Sequence, residues 1–186
     1  MGGVMQPIRQ LMQTLDRLAT PEHCLFMLED MRAILPNLSD TAFKTLLSRA
    51  VKEGHLVRVC RGLYLHQKAH KNDGLLLFHA AARLRAGNFN YISLETVLSD
   101  AGVISQIPIN QISIMSSGRS GNISCGTWGV IEFVHTGQKP QDLAGKITYD
   151  ANCHLWRASV SQALRDMRAT HRNTDLIDWT TANEFI

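Results

Sequence analysis

The chain contains side chains able to do covalent or metal chemistry, but their spacing assembles none of the usual patterns. Four cysteines, Cys24, Cys60, Cys125 and Cys153, are widely separated and no CxxC occurs. With no apolar signal core at the start, they are expected to be reduced thiols of a cytoplasmic protein. Eight histidines are present without an HExxH, and the adjacent Cys153 and His154 are no chelate signature by themselves. The segment Ser116-Ser117-Gly118-Arg119-Ser120-Gly121 lacks the lysine of a P-loop and runs between two expected strands rather than into a helix. Glu132, Asp142 and Asp150 lie near strands, where paired carboxylates can hold a catalytic metal. A restriction-type site would place a lysine two residues after the strand glutamate, whereas Glu132 is followed by Phe133 and Val134. G-x-S-x-G is absent too. The expectation is a protein that is not an enzyme, with no cofactor and no metal.

The chemistry that the spacing does support is contact with a polyanion. The net charge is +3, from 19 Lys and Arg against 16 Asp and Glu. It is unevenly spread: residues 1–72 carry +4 (10 basic, 6 acidic) and residues 73–186 carry −1 (9 basic, 10 acidic). Residues 39–71 alone hold 7 basic and 2 acidic side chains, or +5. Such a stripe is the electrostatic footprint of nucleic-acid binding. Thr41, Thr45, Ser48 and Lys52 share the helical face opposite Phe43 and Leu47, and Lys44 and Arg49 flank it on either side, so that short hydroxyls and long cations can reach base edges and phosphates. Arg58 and Arg61 follow on a hairpin that can approach phosphates or the minor groove. Arg119 is a secondary anion or nucleic-acid candidate in a loop expected to be a hairpin tip.

These residues need elements to hold them, and the apolar pattern supplies them. Pro7 opens a helix with Ile8, Leu11, Met12, Leu15 and Leu18 at helical spacing, closed by Thr20-Pro21. Cys24 to Leu35 reads as a short extended piece and then a short helix, with Cys24 to Met31 also compatible with helix throughout. Ser39 is a good N-cap, Asp40 suits the helix dipole, and Phe43, Leu46, Leu47, Ala50 and Val51 form the inward side. Gly54 ends that helix. Leu56 to Val59, a turn at Cys60-Arg61-Gly62, and Leu63 to Leu65 form a hairpin. Helix, strand, Arg-Gly turn, strand is the layout of a winged helix-turn-helix, assigned to residues 1–72.

Residues 73–186 read as a small α+β domain. Asp73 is expected to cap a helix through Arg85, and Ser93 a second helix ended by Gly102. Phe89 to Ile92 would be an extended joint between them. Strands are expected at Ile112–Met115, Asn122–Cys125, Val130–His135 and Ile147–Tyr149, with a last helix from Arg157 to Arg168. The tail, with Leu176, Ile177, Trp179 and Phe185 as anchors, would dock as one more short helix. No apolar run approaches the roughly 18 residues that span a bilayer, so no membrane contact is expected. Gly2 fails as a myristoylation site because residue 6 is Gln6.

Several segments, in order, resemble the AbiEi-type antitoxins. They are Arg61-Gly62-Leu63-Tyr64, then Tyr91-Ile92-Ser93-Leu94-Glu95-Thr96-Val97-Leu98-Ser99, then Gly102-Val103-Ile104 with Pro108. Ile131 to His135, Trp156-Arg157-Ala158 and Ala163-Leu164-Arg165-Asp166-Met167 complete the series, which spans residues 24–170. The resemblance implies an N-terminal winged helix that binds inverted repeats in double-stranded DNA of its own promoter and represses the operon. It implies a C-terminal antitoxin-like domain counteracting a nucleotidyltransferase-like toxin, without a necessarily stable complex, in a type IV toxin–antitoxin system for abortive phage infection. Many members carry a longer C-terminal part than residues 73–186. A stand-alone winged-helix transcriptional regulator of a mobile element, or a protein- or RNA-interaction module with no antitoxin role, are the alternatives.

Overall fold

The computed structural model describes residues 6–105 and 110–186. Gly2 and Pro108 lie outside them. The fold is α+β, and the chain divides into two units, one ending at Asp73 and the other starting at Gly74.

In the first unit, helix α1 (Pro7–Leu18) is followed by strand β1 (Leu25–Met27), α2 (Leu28–Ile34) and α3 (Asp40–Lys52). Strands β2 (Leu56–Cys60) and β3 (Leu63–His66) complete it. The three strands form an antiparallel sheet in the order β1-β3-β2. Leu11 and Leu15 of α1, Met31 and Leu35 around α2, and Phe43, Leu47 and Ala50 of α3 share one core with Phe26 and Leu56. Each fully buried leucine or phenylalanine contributes about 1.5–3 kcal/mol, so the apolar stripe of each helix sets the face it turns inward. The β2–β3 turn is Arg61-Gly62, and Gly62 sits at φ +80°, which an L side chain adopts only with strain. The buried His66 fastens β3 to α1 through Nε2 and Asp16 Oδ1 at 2.7 Å.

The second unit contains a mixed six-stranded sheet in the order β6-β7-β5-β4-β9-β8. Its strands are β4 (Asn90–Ile92), β5 (Gln111–Ser116), β6 (Gly121–Ser124), β7 (Val130–His135), β8 (Ile147–Asp150) and β9 (Leu155–Ala158). Helices α4 (Leu76–Leu84), α5 (Leu94–Asp100) and α6 (Val160–Ala169) pack on it, and α7 (Trp179–Ala182) lies in the tail. Asp178 caps α7 by accepting from the amides of Thr180 and Thr181.

Several expectations are corrected here. The helix expected from Asp73 starts later: Gly74 intervenes at φ +79°, Leu75 holds the N-cap position, and α4 begins at Leu76. Phe89 to Ile92 is extended between α4 and α5 as expected, but it is more than a joint. Asn90–Ile92 is β4, buried along its length and paired with β5 on one side and β9 on the other. The loop around Arg119 is not a hairpin tip. β5 pairs in parallel with β7, and β6 lies beyond β7, so the loop crosses over one strand. The last helix begins at Val160, capped by Ser159, because Leu155–Ala158 is committed to β9. Ser93 holds the N-cap position of α5, but its hydroxyl donates to Asp166 Oδ2 at 2.7 Å instead of capping.

Candidate nucleic-acid interface

Helix α3 is fixed at its start by the sequence around it. Ser39 Oγ accepts from the amide of Ala42 at 3.2 Å, and Asp40 stands in the first turn. Arg32 donates to the carbonyls of Leu35 and Leu38 at 2.9 and 2.5 Å, pairs with Asp40 at 3.4 Å and lies over the Phe43 ring. The α2–α3 connection is thereby tied to both helices. With Phe43, Leu47 and Ala50 buried, the opposite face must meet solvent.

That face carries the residues singled out in the sequence. Thr41, Lys44, Thr45, Ser48, Arg49 and Lys52 are all exposed. Arg58 on β2 and Arg61 at the hairpin turn are exposed as well, and the ladder is irregular between Arg58 and Cys60. Among the described residues, Lys44, Arg49, Lys52, Arg58 and Arg61 make no side-chain hydrogen bond or ion pair. Five cations held on one small unit without carboxylate partners leave their charge available to an anion. One detail was not legible in the sequence. Thr45 Oγ1 donates to the carbonyl of Thr41 at 2.9 Å, so this hydroxyl turns back onto its own helix and its proton is not available to a ligand.

Arg119 is exposed, and its side chain makes no such bond among the described residues either. Its carbonyl accepts from Arg85 Nη2 at 2.6 Å. Arg85 also approaches Gly118 so closely that a β-carbon there would collide with its guanidinium, and it stacks over Phe133 at 4.3 Å. Arg119 therefore sits in a fastened loop, and it belongs to the second unit while the other eight candidates belong to the first.

The carboxylates considered for catalysis are not brought together. Asp142 accepts from the amide of Lys139, Asp150 accepts from Arg157 Nε at 3.0 Å, and Glu132 pairs with Arg172 at 2.5 Å. Among the described residues no three His, Cys, Asp or Glu side chains stand close enough to hold a metal ion. His66 and His70 are four apart, which aligns two ligands only on a helix; His66 ends β3 instead. Burial pushes the Cys153 thiol up to about 11, aided by Asp150, so it is protonated at neutral pH.

The second unit instead gathers a buried polar network that sequence reasoning missed. Asp166 is fully buried and accepts from Ser93 Oγ at 2.7 Å, Gln138 Nε2 at 3.0 Å and Gln162 Nε2 at 2.8 Å. Gln138 also donates to the Tyr91 phenol oxygen at 3.3 Å. Burial, and then the neighbouring Asp166 charge, push the Tyr91 phenol above its ordinary value. Beside it Arg172 bridges Glu95 at 2.8 and 2.9 Å to Glu132, which accepts from Ser113 Oγ at 3.0 Å. Leu94, between Ser93 and Glu95, is buried at φ +57°, a strain of about 1–2 kcal/mol for a non-glycine residue. Tyr91, Ser93, Glu95, Glu132 and Asp166 all come from the segments that carry the family resemblance. Gln138, Gln162 and Arg172 gave no motif; only their contacts reveal them.

Among the described residues no helix is long and apolar enough to cross a membrane. No protein-family model matches the chain, and no curated protein matches it.

Proposed function

We propose that the first unit is a winged helix that binds double-stranded DNA, with α3 in the major groove and the β2–β3 hairpin as the wing. The observation that carries this is the exposed face of α3 and the hairpin, with Lys44, Arg49, Lys52, Arg58 and Arg61 unpaired among the described residues. Cations left without partners neutralise phosphates at no cost of broken ion pairs. Lys44, Arg49 and Lys52 reach base edges or groove-lining phosphates, Ser48 and Thr41 supply short polar contacts, and Arg58 and Arg61 grip the backbone.

With the family resemblance added, the whole chain is a cytoplasmic autorepressor and antitoxin of a type IV toxin–antitoxin system. The first unit would bind inverted repeats upstream of its own gene, and the second would counteract a nucleotidyltransferase-like toxin with no enzymatic step of its own. The DNA half is tested by a mobility-shift titration on the duplex upstream of the coding sequence, with an unrelated duplex as competitor. Specific retention supports the regulator; equal retention of both duplexes removes it. The antitoxin half is tested by co-expression with the neighbouring toxin candidate. Rescue of growth without rescue by the first unit alone supports it, and no rescue leaves a stand-alone regulator.

A second reading gives α3 a protein partner in place of DNA. It is favoured by an open, mostly apolar cavity of about 560 Å³ between α2 and α3, walled by Leu28, Ala33, Pro36 and Phe43. Association that persists unchanged at high salt would select it over DNA binding.

A further inference from the structure

The flank of α3 that faces the start of α1 differs from the rest of its exposed surface. Ile8, Leu38, Ala42, Thr45 and Leu46 form the apolar part of an open cavity of about 570 Å³ there, whose polar part includes Gln6, Ser39, Thr41 and Arg49. Among the described residues no acidic side chain lines it. Ala42, Thr45 and Leu46 are neighbours on the helix at spacings of three and four. The Thr45 hydroxyl proton is already given to the Thr41 carbonyl at 2.9 Å, so the group this residue has left to add to the cavity's apolar lining is its γ-methyl.

This lining suits an occupant that presents an aliphatic group on an anionic carrier, since Arg49 lines the cavity and Lys52 follows on the exposed helix face, while Lys44 stands on the other flank, beside the α2–α3 cavity. On the major-groove edges of duplex DNA, the aliphatic group is the C5-methyl of thymine, which Ala and Thr methyls contact directly. We propose that this flank of α3 seats a thymine methyl while Arg49 engages the adjacent base edge or phosphate, making Thr45 a specificity residue for A·T pairs. The inference rests on the DNA-binding reading above and adds what is read in the groove.

Uracil substitution tests it. The duplex upstream of the coding sequence is amplified once with dTTP and once with dUTP, giving two duplexes that differ in the C5-methyl groups. Binding of the full-length protein to each is followed by fluorescence anisotropy at one fixed salt concentration. The uracil duplex is expected to bind more weakly, by about fourfold for each methyl seated. Thr45→Ser keeps the hydroxyl and its bond to Thr41 but loses the methyl, so it shrinks that ratio. Thr45→Val keeps a methyl in place and preserves the ratio. Equal wild-type affinity for the two duplexes overturns the thymine seat and leaves DNA binding standing. Retention of neither duplex overturns the DNA reading, and the seat with it.

Discussion

Arg32 of the first unit and Arg119 of the second apart, the two units use these cations in opposite ways. In the second, Arg85, Arg157 and Arg172 are drawn into the fold: Arg85 stacks on Phe133, Arg157 joins Asp100 and Asp150, and Arg172 joins Glu95 and Glu132. In the first, Lys44, Arg49, Lys52, Arg58 and Arg61 are exposed and make no such bond among the described residues. A charge held in a part-buried ion pair is spent on conformation, because removing one partner strands the other in a poorly solvated site. A charge left at the surface adds almost nothing to stability and remains available for a ligand. Binding is expected where exposed cations are left out of the fold's own ion pairs.

The strongest way to break this contrast is Asp166→Ala. It strands the Ser93 hydroxyl and takes one acceptor each from Gln138 and Gln162, which keep Tyr91 and Gln138 as partners, and a loss of about 3 kcal/mol is expected in denaturant unfolding. Asp166→Asn retains volume and one acceptor and should cost less. Arg172→Met comes next. Glu95, Glu132 and Arg172 are each about a fifth to a quarter exposed, so solvent screens the loss to about 2 kcal/mol. Neither change should alter DNA affinity of the folded protein. If Arg172→Met matched wild type in stability, the second unit's arginines would not be fold-bearing.

Arg49→Ala and Lys44→Ala sharpen the other side. Their unfolding free energy should stay within about 0.5 kcal/mol of wild type. Their DNA affinity should fall, with the salt slope lowered by about one for a lost phosphate contact. A fall in stability of more than about 1 kcal/mol in either variant would show that these cations are not spare. The smallest effect is on pH dependence. Burial acts to raise the Asp150 carboxyl, but the hydrogen bonds from Arg157 and Cys153 together outweigh it and hold it below its ordinary value. A depressed carboxyl stabilises the fold above the ordinary aspartate range, and that contribution is lost as pH falls through the depressed value. Asp150→Asn should therefore flatten the acid side of a stability–pH profile, and an unchanged profile would remove the Asp150–Arg157 pair from the account.

How much the sequence reveals follows the same division. The first unit is legible because its helices are long enough to display a 3.6 period and one carries a clear cap: Ser39, Phe43, Leu47 and Ala50 all stand where the pattern puts them. The second unit hides its centre. β4 has three residues, all buried, and so shows no alternation; β9 has four and runs straight into the cap of α6. The parallel pairing of β5 with β7 depends on a crossover that local turn residues resemble a hairpin in supplying. The buried network is hidden for a further reason. Ser93 and Asp166 are 73 residues apart, Glu95 and Arg172 are 77 apart, and no local periodicity reports such pairs. The turned-in hydroxyl of Thr45 is equally invisible, since a threonine on an exposed face reads as polar until its bond to Thr41 is seen.

The central claim is that the spare cations of the first unit are a DNA-binding surface. The most direct test is the salt dependence of binding to the upstream duplex, for the wild type and for a variant with Lys44, Arg49, Lys52, Arg58 and Arg61 all changed to alanine. If the five side chains each neutralise a phosphate, log affinity against log salt falls with a slope near −4.5 that they supply, at about −0.9 per contact. The variant should lose that slope and its affinity while unfolding at the same denaturant concentration. A wild-type affinity indifferent to salt, or a variant that binds as the wild type does, would contradict the claim.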